Sequence, residues 1–450
     1  MSDKEVAKKL AKAISDVGGR AYYVGGCVRD SIMGIETKDI DIEIHGVGVE
    51  KLEEILDTVG ERLQFGKSFG VYSIRGTSLD IALPRSEECI GKRHTDFKID
   101  VNPYLGVEKA ALRRDFTVNA IMQDVLTGEI TDTYGGIGDI QGRVLRHVSD
   151  STFAEDPLRV LRCAQFASRF GFDVADETVA LCSSMDITAL SSERIFEEMK
   201  KALLKSEKPS VFFRTLHRFG QLSFWFSELE ALIGVPQNPR FHAEGDVFEH
   251  TMAVLDAAAG MRDRAKQPLP FMISALVHDF GKALTTEVID GVIHAYRHET
   301  EGIPIIERFL HRITNEKKLI QYAKNMTENH MRPNMTAAQN ASVKATNKMF
   351  DVSVEPYDLV LLSTADGMGS IAEIGYVSYE SFLFERLSVY EEFMSRPYVT
   401  GEDLINNGYT PDKSFSKLLE YAHKLRLSGV EKKIALKQIK AYARELKGGK

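Results

Sequence analysis

The sequence predicts a multidomain protein in which an α/β head precedes an otherwise helical body. Charged and apolar residues alternate at 38–44 as in a strand, and a glycine pair at 25–26 separates a strand-like from a helix-like segment. Apolar residues recur at helical spacing through most of the chain after residue 150. At 450 residues the chain is too long for a single core, so we expect several domains.

The composition of the chain indicates the cellular compartment of the protein and the kind of partner it binds. The four cysteines are scattered, the first residues are charged, and no long uncharged apolar run occurs. We therefore expect reduced thiols, a cytoplasmic location and no membrane segment. A net charge of −8 argues against non-specific coating of nucleic acid. Residues 401–450 carry eleven Lys and Arg against six Asp and Glu, which suits either a phosphate backbone or a solvated helical face.

The head begins with a helix and a strand that leads into glycines. Apolar spacing predicts a helix over residues 6–17 and a short strand over 21–24. Gly25 and Gly26 follow this strand directly and precede a helix that starts near Val28. Glycines in such a turn let the backbone approach a phosphate closely, although most glycine pairs are only turns.

An acidic strand follows within one helix and one loop. Its two faces carry Ile40, Ile42 and Ile44 and, opposite them, Asp39, Asp41 and Glu43. Like charges on one strand face repel each other, and aspartate is a poor strand former. A divalent cation would cancel the repulsion and bind phosphate, so this face predicts a metal site. The alternative is a solvated face without a function.

Further charged groups lie downstream in the head. Asp80, on a strand predicted over 79–83, adds a carboxylate if that strand pairs beside the first, and is otherwise a surface residue at a sheet edge. Residues 84–98 lack periodicity and predict a charged, mobile loop. Arg113 and Arg114 precede an apolar, helical-looking stretch and suit a triphosphate or RNA phosphate, with a salt-bridged helix start as the alternative.

Histidines concentrate in one region of the body. Seven of the twelve lie between 242 and 330, and His278-Asp279 lies within an apolar helical run. Such a pair can bind a metal when other helices supply partners, and His250 and Asp366 are the candidates. Two more histidines, His298 and His330, are candidate extra ligands or phosphate contacts. Mixed His/Asp ligation favours a transition metal or Mg²⁺ that activates water, whereas a lone helical histidine is usually a packed core residue.

Five short motifs occur in order along the first 160 residues: Gly25-Gly26-Cys-Val-Arg29-Asp30, Asp39-x-Asp41, Arg113-Arg114-Asp115, Asp132…Gly135-Gly136…Asp139, and Glu155-Asp156-Pro-Leu-Arg159. In this order they resemble bacterial class II tRNA nucleotidyltransferases, the CCA-adding enzymes, and the related bacterial poly(A) polymerases. The resemblance implies that Asp39 and Asp41 are catalytic and hold Mg²⁺. It also implies nucleotide contacts from Gly25, Gly26, Arg29 and Arg113. Glu43 departs from the family, in which a hydrophobic or neutral residue is more usual.

The last motif suggests how bases are chosen without a template. Cytosine and adenine both present an exocyclic amine beside an unprotonated ring nitrogen, which a carboxylate acceptor and a guanidinium donor match. Guanine and uracil mismatch both groups. The resemblance assigns this role to Asp156 and Arg159, supported by Glu155 and Arg162. A helix cap at Asp156 and a surface Asp156–Arg159 pair are the alternatives.

The histidine-rich region resembles an HD-superfamily phosphohydrolase domain. His250, His278, Asp279 and Asp366 match its metal ligands in order. The resemblance implies phosphatase, 2′-nucleotidase or 2′,3′-cyclic phosphodiesterase activity with a divalent metal, for which Ni²⁺, Mn²⁺ and Mg²⁺ are candidates.

These expectations combine into four segments. They are a nucleotidyltransferase head with a small mixed sheet (1–148), an all-α neck that binds RNA and nucleotide (149–240), an HD domain (241–370) and a helical tail that binds tRNA (371–450). The resemblance implies template-independent addition of CCA to tRNA from CTP and ATP, and the complete 84–98 loop favours full CCA addition. Poly(A) polymerase, relatives that add only CC or only A, and an HD phosphohydrolase with a nucleotide-binding head are the alternatives. The oligomeric state stays open.

Overall fold

The chain forms two compact units in the computed structural model, which describes residues 2–37, 39–65, 71–89, 97–371, 375 and 377–448. One unit comprises Met1–Ala202 and Val211–Trp225, and the other comprises Leu203–Ser210 and Phe226–Lys450. The boundary between them falls within the segment predicted as a neck. The finer division into four segments stays a prediction.

Most strands lie in the first third of the chain, where they alternate with short helices, and the rest of the chain is mainly helical. The strands are β1 (Arg20–Val24), β2 (Ile40–His45), β3 (Arg62–Phe65), β4 (Val71–Ile74), β5 (Leu79–Ala82), β6 (Arg85–Cys89), β7 (Phe97–Val101), β8 (Met122–Asp124), β9 (Ile130–Thr131), β10 (Val144–Leu145), β11 (Asp173–Val174), β12 (Thr286–Ile289) and β13 (Val292–Ala295). The helices up to residue 230 are α1 (Asp3–Ser15), α2 (Gly26–Ile32), α3 (Val49–Val59), α4 (Val107–Leu112), α5 (Gly136–Gly142), α6 (Asp150–Ala154), α7 (Leu158–Phe170), α8 (Asp176–Ser184), α9 (Ser192–Lys205), α10 (Ser210–Arg218) and α11 (Leu222–Glu230). The later helices are α12 (Val247–Ala259), α13 (Pro268–Val277), α14 (Lys282–Thr285), α15 (His298–Glu301), α16 (Ile303–Ile313), α17 (Lys317–Asn329), α18 (Met331–Ala338), α19 (Val343–Asp351), α20 (Pro356–Gly369), α21 (Glu380–Ser395), α22 (Gly401–Asn406), α23 (Phe415–Leu427) and α24 (Lys432–Gly448).

β2 occupies the middle of a mixed seven-stranded sheet with the order β3-β4-β5-β2-β1-β8-β9. It pairs antiparallel with β1 and parallel with β5. Ile40, Ile42 and Ile44 are buried in one core with apolar residues of α1 and α3, which cover this face of the sheet. The predicted α/β head with a small mixed sheet is therefore confirmed, and the alternation at 38–44 correctly identified its central strand.

Two predictions of local structure in the head were wrong. Residues 84–98 were expected to form a loop, but β6 and β7 pair antiparallel along Arg85–Cys89 and Phe97–Val101, while residues 90–96 of the predicted loop lie outside the described residues. β7 alternates apolar and charged residues as strands do, but the predicted loop ended within it, and β6 carries mainly polar and charged residues without alternation. The stretch after Arg114 was expected to be a helix, but it forms only a 3₁₀ turn at Thr117–Asn119 before β8 begins.

The body is helical as predicted, apart from short strands. Buried helices α12, α13, α17 and α20 pack around the histidine-rich region. The β12–β13 hairpin was missed, although its Asp290-Gly291 turn, with φ values of 49° and 78°, is a strong hairpin signal. Among the described residues, no helix has both the length and the apolar character needed to cross a membrane.

Candidate active sites

Carboxylates from two parallel strands lie side by side in the head. Asp41 of β2 and Asp80 of β5 are register partners, so their side chains project from the same face of the sheet. Asp39 immediately precedes β2 and is exposed. Burial raises the pKa of Asp41; Arg114 opposes this, and the charges of Asp80 and Asp39 raise the pKa further. β5 therefore pairs beside β2, which is the condition under which Asp80 was expected to add a carboxylate. A bound cation would reduce the repulsion among these carboxylates.

The glycine turn opens onto the same carboxylates. Gly25 has a φ of +68°, a conformation that favours glycine. A Cβ atom at this position would lie 3.2 Å from Arg114 Nη1 and 3.6 Å from Asp41 Oδ2. The turn, the guanidinium and the carboxylate thus line one space. Carboxylate oxygens are the ligands that Mg²⁺ prefers, and the open turn beside a cationic side chain leaves room for phosphate, so these residues fit a magnesium–triphosphate group.

Glu43 has a different surrounding from the other acids of its strand. Its side chain is buried and accepts hydrogen bonds from Arg113 at 3.0 Å and Arg114 at 3.5 Å, with His45 Nε2 at 2.9 Å. Burial opposes ionisation, but His45, Arg114 and Arg113 lower the pKa of Glu43 to about 2. Its charge is therefore balanced within the protein rather than by a cation. Arg113 and Arg114 therefore form salt bridges, as the alternative to phosphate binding predicted. They follow the end of α4, however, and do not start a helix.

Arg29 is buried and ties α2 to the 3₁₀ turn. Its Nε and Nη2 atoms donate to Asp30 Oδ1 at 2.8 and 2.6 Å, and its Nη1 donates to Asn119. The guanidinium carbon lies 4.5 Å from the centre of the Phe170 ring, within cation–π range. Contact of Arg29 with a nucleotide stays a prediction.

Arg162 pairs with a buried carboxylate. Its Nε and Nη2 atoms lie 2.8 and 2.6 Å from Asp115 Oδ2. Asp115 also accepts from Asn119 Nδ2 at 2.9 Å. Burial disfavours the charged carboxylate, yet Arg162 and Asn119 hold the pKa of Asp115 below its usual value. Arg162 thus fixes the arginine motif against α7, and its predicted contact with nucleotide stays untested.

Asp156 and Arg159 are held by separate partners. Asp156 accepts from Arg194 Nη2 at 3.1 and 2.8 Å and from the Leu158 amide at 3.1 Å. Arg159 donates to the backbone carbonyls of Thr152 at 2.6 Å and Arg113 at 2.8 Å. The cap position of α7 is occupied by Pro157, not Asp156, and these contacts do not include a surface pair between Asp156 and Arg159. Sequence reasoning missed Arg194 because a pair 38 residues apart leaves no periodic signal.

The second unit brings the predicted histidine-site residues together. His250 Nε2 lies 3.1 Å from Asp366 Oδ1 and 3.5 Å from Asp279 Oδ2, and His278 Nε2 lies 3.3 Å from Asp279 Oδ2. Asp279 and Asp366 line a cavity of about 490 Å³ together with Lys282, whose Nζ lies 2.7 Å from Asp279 Oδ2. In the described part of the chain, His278 Nε2 is buried without a hydrogen-bond partner, and both Asp279 oxygens are buried among charged neighbours without a regular hydrogen bond. Buried nitrogen and oxygen atoms of this kind are suited to be the ligands of a metal ion.

Two groups missed by sequence reasoning complete the electrostatics of this cluster. Glu244 Oε1 lies 2.9 Å from His250 Nδ1. Burial opposes the charged imidazole, but Asp366 and Glu244 raise the pKa of His250 to about 9. Lys282 stands against Asp279, whose pKa it helps to hold well below the usual value despite burial. A carboxylate behind a ligating histidine orients the ring and increases its basicity, so Glu244 fits a supporting role.

The chain matches three protein-family models. The Poly A polymerase head domain matches residues 21–146, the probable RNA- and SrmB-binding site of polymerase A matches 171–233, and the HD domain matches 247–366.

Two relatives are multifunctional CCA proteins. That of Pasteurella multocida is 36% identical over 405 residues, which cover 87% of this chain and 92% of the relative. That of Mannheimia succiniciproducens is 36% identical over 367 residues, covering 78% and 84%.

Solved CCA-adding enzymes share the fold. A complex with ATP has a TM-score of 0.66 at 19% identity and covers 96% of this chain and 94% of that chain. A complex with CTP has a TM-score of 0.64 at 18% identity, covering 97% and 93%. A Thermotoga maritima enzyme complexed with tRNA has a TM-score of 0.61 at 19% identity, covering 96% and 94%.

Proposed function

Because the chain belongs to the family of multifunctional CCA proteins, we propose that it adds the CCA end to tRNA from CTP and ATP without a template, in the cytoplasm. The observation that carries the proposal is the register of β2 and β5, which sets Asp41 beside Asp80 at the glycine turn. Similarity to multifunctional CCA proteins over 87% of the chain favours this reading over poly(A) polymerase.

The head residues divide the work of nucleotidyl transfer. Asp39 and Asp41 would hold magnesium, with Asp80 as a further carboxylate; bound there, the ion would supply positive charge to the phosphates and favour loss of the hydroxyl proton. Gly25 leaves room for the triphosphate, and Arg114 lies against it. The 3′ oxygen of the RNA bonds to the α-phosphorus, its proton passes to water, and the bond between the α-phosphorus and the α–β bridging oxygen breaks to release pyrophosphate.

Base selection falls to Asp156 and Arg159. Arg194 holds the Asp156 carboxylate through contacts at 2.8 and 3.1 Å, which fixes the acceptor in place. Arg159 exchanges its bonds to backbone carbonyls for the ring nitrogen of cytosine or adenine. A buried polar group left without a partner costs about 1–3 kcal/mol, so guanine and uracil are rejected.

The experiment offers purified protein a tRNA that lacks its last three nucleotides, with labelled CTP and ATP supplied separately and together. Addition of C-C-A followed by a stop supports the proposal. Unlimited A addition to any RNA would indicate a poly(A) polymerase, and addition of only CC or only A would indicate a partial-specificity relative. Phosphate release without incorporation would indicate a hydrolase with a nucleotide-binding head. The variant Asp41→Asn should abolish incorporation. The control Asp57→Asn removes an exposed carboxylate that pairs with Arg62, and it should leave incorporation unchanged.

The histidine cluster is proposed to hydrolyse phosphate esters at RNA ends. His250, His278, Asp279 and Asp366 hold a divalent metal there, which activates water. Lys282 supplies a positive charge for the phosphate, and Glu244 orients His250. His278→Ala should remove phosphatase and cyclic phosphodiesterase activity while leaving C-C-A addition intact. Absence of hydrolysis by the unaltered protein with Ni²⁺, Mn²⁺ or Mg²⁺ would eliminate this activity.

A further inference from the structure

We propose that a basic groove between α18 and α19 binds the backbone of a single-stranded RNA whose terminal nucleotide lies in the neighbouring cavity of the histidine cluster. The groove directs that site to RNA ends and away from free nucleotides. The proposal rests on the hydrolytic function proposed for the cluster and names the substrate class of that function. Its test includes an RNA-binding readout that does not require hydrolysis, so the two proposals can fail separately.

The basic groove is a depression of about 310 Å³ on the second unit. α18 supplies Arg332 and Met335 to its lining, and α19 supplies Lys348. The turn between the two helices adds Gln339, whose amide side chain is exposed. Lys344 is also exposed and lies four residues before Lys348, on the same side of α19. Two cationic side chains therefore line the groove, and a third extends it along α19.

The protein does not neutralise the cations of this groove. Arg332, Lys344 and Lys348 are all exposed, and within the part of the chain that the structure describes none of the three side chains forms an ion pair. On the preceding helix α17, by contrast, Lys324 lies 3.0 Å from Glu307. Since the whole chain carries a net charge of −8, a local group of unpaired cations indicates an anionic partner. The phosphates of a nucleic-acid strand supply such charge along a line.

The groove meets the cavity of the histidine cluster at one side chain of α18. Met335 lines both the groove and the cavity, and it is 53% exposed. Met331 and Asn334 of the same helix line the cavity, whereas Arg332 lines the groove. A strand that crosses α18 at Met335 therefore passes from the groove into the cavity. The flexible thioether of Met335 can pack against a base at this crossing.

The sizes of the two spaces favour a strand end as the occupant. The cavity of about 490 Å³ has the volume of a site for one small molecule, so it holds a terminal nucleotide and not a duplex. The groove then receives the phosphates that precede this nucleotide. Lys344 and Lys348 are separated by about 6 Å along the axis of α19, which spreads their contacts over a length of strand. A free nucleotide has no phosphate at these positions and gains nothing from them.

The experiment compares two substrates of the full-length protein. One is adenosine 2′,3′-cyclic phosphate, and the other is a single-stranded oligoribonucleotide that ends in the same group. Replacement of Arg332, Lys344 and Lys348 together by Gln should raise the KM for the oligoribonucleotide roughly tenfold at low ionic strength. It should also lower the slope of log KM against log salt by about two, since each phosphate contact of a single strand contributes about 0.7. The KM for adenosine 2′,3′-cyclic phosphate should not change.

Two further variants separate phosphate contact from other causes. The matched control replaces Arg308, Lys317 and Lys318 by Gln; these residues are exposed on α16 and at the start of α17, the end distant from α18. It has the same net charge as the groove variant and should leave both KM values unchanged. A charge-retaining variant, with Lys at position 332 and Arg at positions 344 and 348, should keep the KM of the unaltered protein. An unchanged KM for the oligoribonucleotide in the groove variant, or an equal rise for both substrates, overturns the proposal.

Photochemical crosslinking tests the groove without hydrolysis. The oligoribonucleotide carries 4-thiouridine next to its terminal nucleotide, and crosslinked peptides are identified by mass spectrometry. The unaltered protein and the charge-retaining variant should crosslink within residues 331–348, and the groove variant should lose this crosslink. If the unaltered protein hydrolyses neither substrate but forms the crosslink, the proposed phosphohydrolase is rejected and the groove is supported. Absence of the crosslink in the unaltered protein overturns the groove, whether or not the protein hydrolyses adenosine 2′,3′-cyclic phosphate.

Discussion

Glu43 lies close in sequence to Asp39 and Asp41, the proposed catalytic carboxylates, yet its surroundings differ from theirs. The side chain is 1% exposed and holds Arg113 and Arg114, and Arg114 in turn lies at the glycine turn. Removal of one partner from a buried ion pair leaves the other charge uncompensated, at a cost of about 3–5 kcal/mol. Glu43 therefore stabilises the head and positions Arg114 at the glycine turn.

Glu43→Gln should lower the free energy of unfolding of the head by about 3 kcal/mol at pH 7. The folded-state pKa of Glu43 is depressed from 4.5 to about 2, so its contribution is complete above about pH 4.5 and is lost as the pH falls towards 2. The difference in unfolding free energy between the unaltered protein and Glu43→Gln should therefore shrink between pH 5 and the lowest pH at which both remain folded. Urea denaturation at each pH measures it.

A control for this change removes an exposed acid. Glu61 pairs with Arg75 while both side chains are more than half exposed, and Glu61→Gln should change the unfolding free energy by less than about 0.5 kcal/mol. A Glu43→Gln difference that stayed constant or grew on acidification would contradict the assigned ionisation.

The proposed base selection depends on Arg194, which holds the Asp156 carboxylate and which the sequence did not reveal. Hydrogen bonds between charged groups contribute about 1.5–3 kcal/mol, so Arg194→Gln should lower kcat/KM for CTP and ATP roughly ten- to a hundredfold and narrow the preference over UTP and GTP. Arg194→Lys keeps the charge without the fork and should recover part of the loss. Single-nucleotide incorporation kinetics measure both effects.

The control is Arg218→Gln, which removes an exposed pair with Asp173. It should leave kinetics and base preference unchanged. If Arg194→Gln lowered the rates for all four nucleotides equally, Arg194 would support the fold of the neck and not the orientation of Asp156.

At the scale of elements, glycine packing determines where one histidine of the cluster lies. A Cβ atom on Gly281, just before α14, would lie 2.0 Å from the backbone oxygen of His298 at the start of α15. Gly281→Ala should push these helices apart and displace His298, which lies 3.3 Å from Asp279 Oδ1. We expect a loss of about 1–3 kcal/mol in unfolding free energy and weaker metal binding by the histidine cluster, measured by thermal unfolding and metal titration.

Gly138→Ala provides the matched control, since a Cβ atom at this helical position meets nothing within 4 Å. Alanine there should be neutral or stabilising. If Gly281→Ala bound metal with unchanged affinity, the close approach of α14 and α15 would not be what places His298.

Sequence patterns located elements whose faces differ in polarity. Alternation identified β2 and β5, and the parallel register then followed from the fold rather than from any local signal. The β6–β7 ribbon was missed because β6 is polar without alternation and the predicted loop ended within β7, which itself alternates apolar and charged residues. The β12–β13 hairpin was available from Asp290-Gly291 but was hidden within a region read as helical. Candidate ligand residues were predictable by type, whereas Arg194 contacts a residue 38 positions away and Glu244 lies in a turn without a periodic pattern, six residues before His250.

At the scale of the whole molecule, charge is distributed unevenly. The chain carries a net charge of −8, yet Lys433, Lys437 and Lys440 are exposed on one side of α24. Ala435 and Ile439 of the same helix are buried, so the lysines form its solvent-facing stripe. Such a stripe either contacts RNA phosphates or only solvates the helix, and salt dependence distinguishes the two.

Replacement of Lys433, Lys437 and Lys440 by Gln should weaken tRNA binding and make it less sensitive to salt. Each lost phosphate contact lowers the slope of log K against log salt by about 0.7–0.9, so three contacts should lower it by roughly two to three. The control replaces three exposed lysines of α1, Lys8, Lys9 and Lys12, by Gln. This variant has the same net charge as the α24 variant. Filter binding at several salt concentrations measures both slopes. A local phosphate contact at α24 would lower the slope only in the α24 variant, because the lysines of α1 would release no counterions on tRNA binding. Equal slopes for the two triple variants would therefore mean that α24 acts only through net charge.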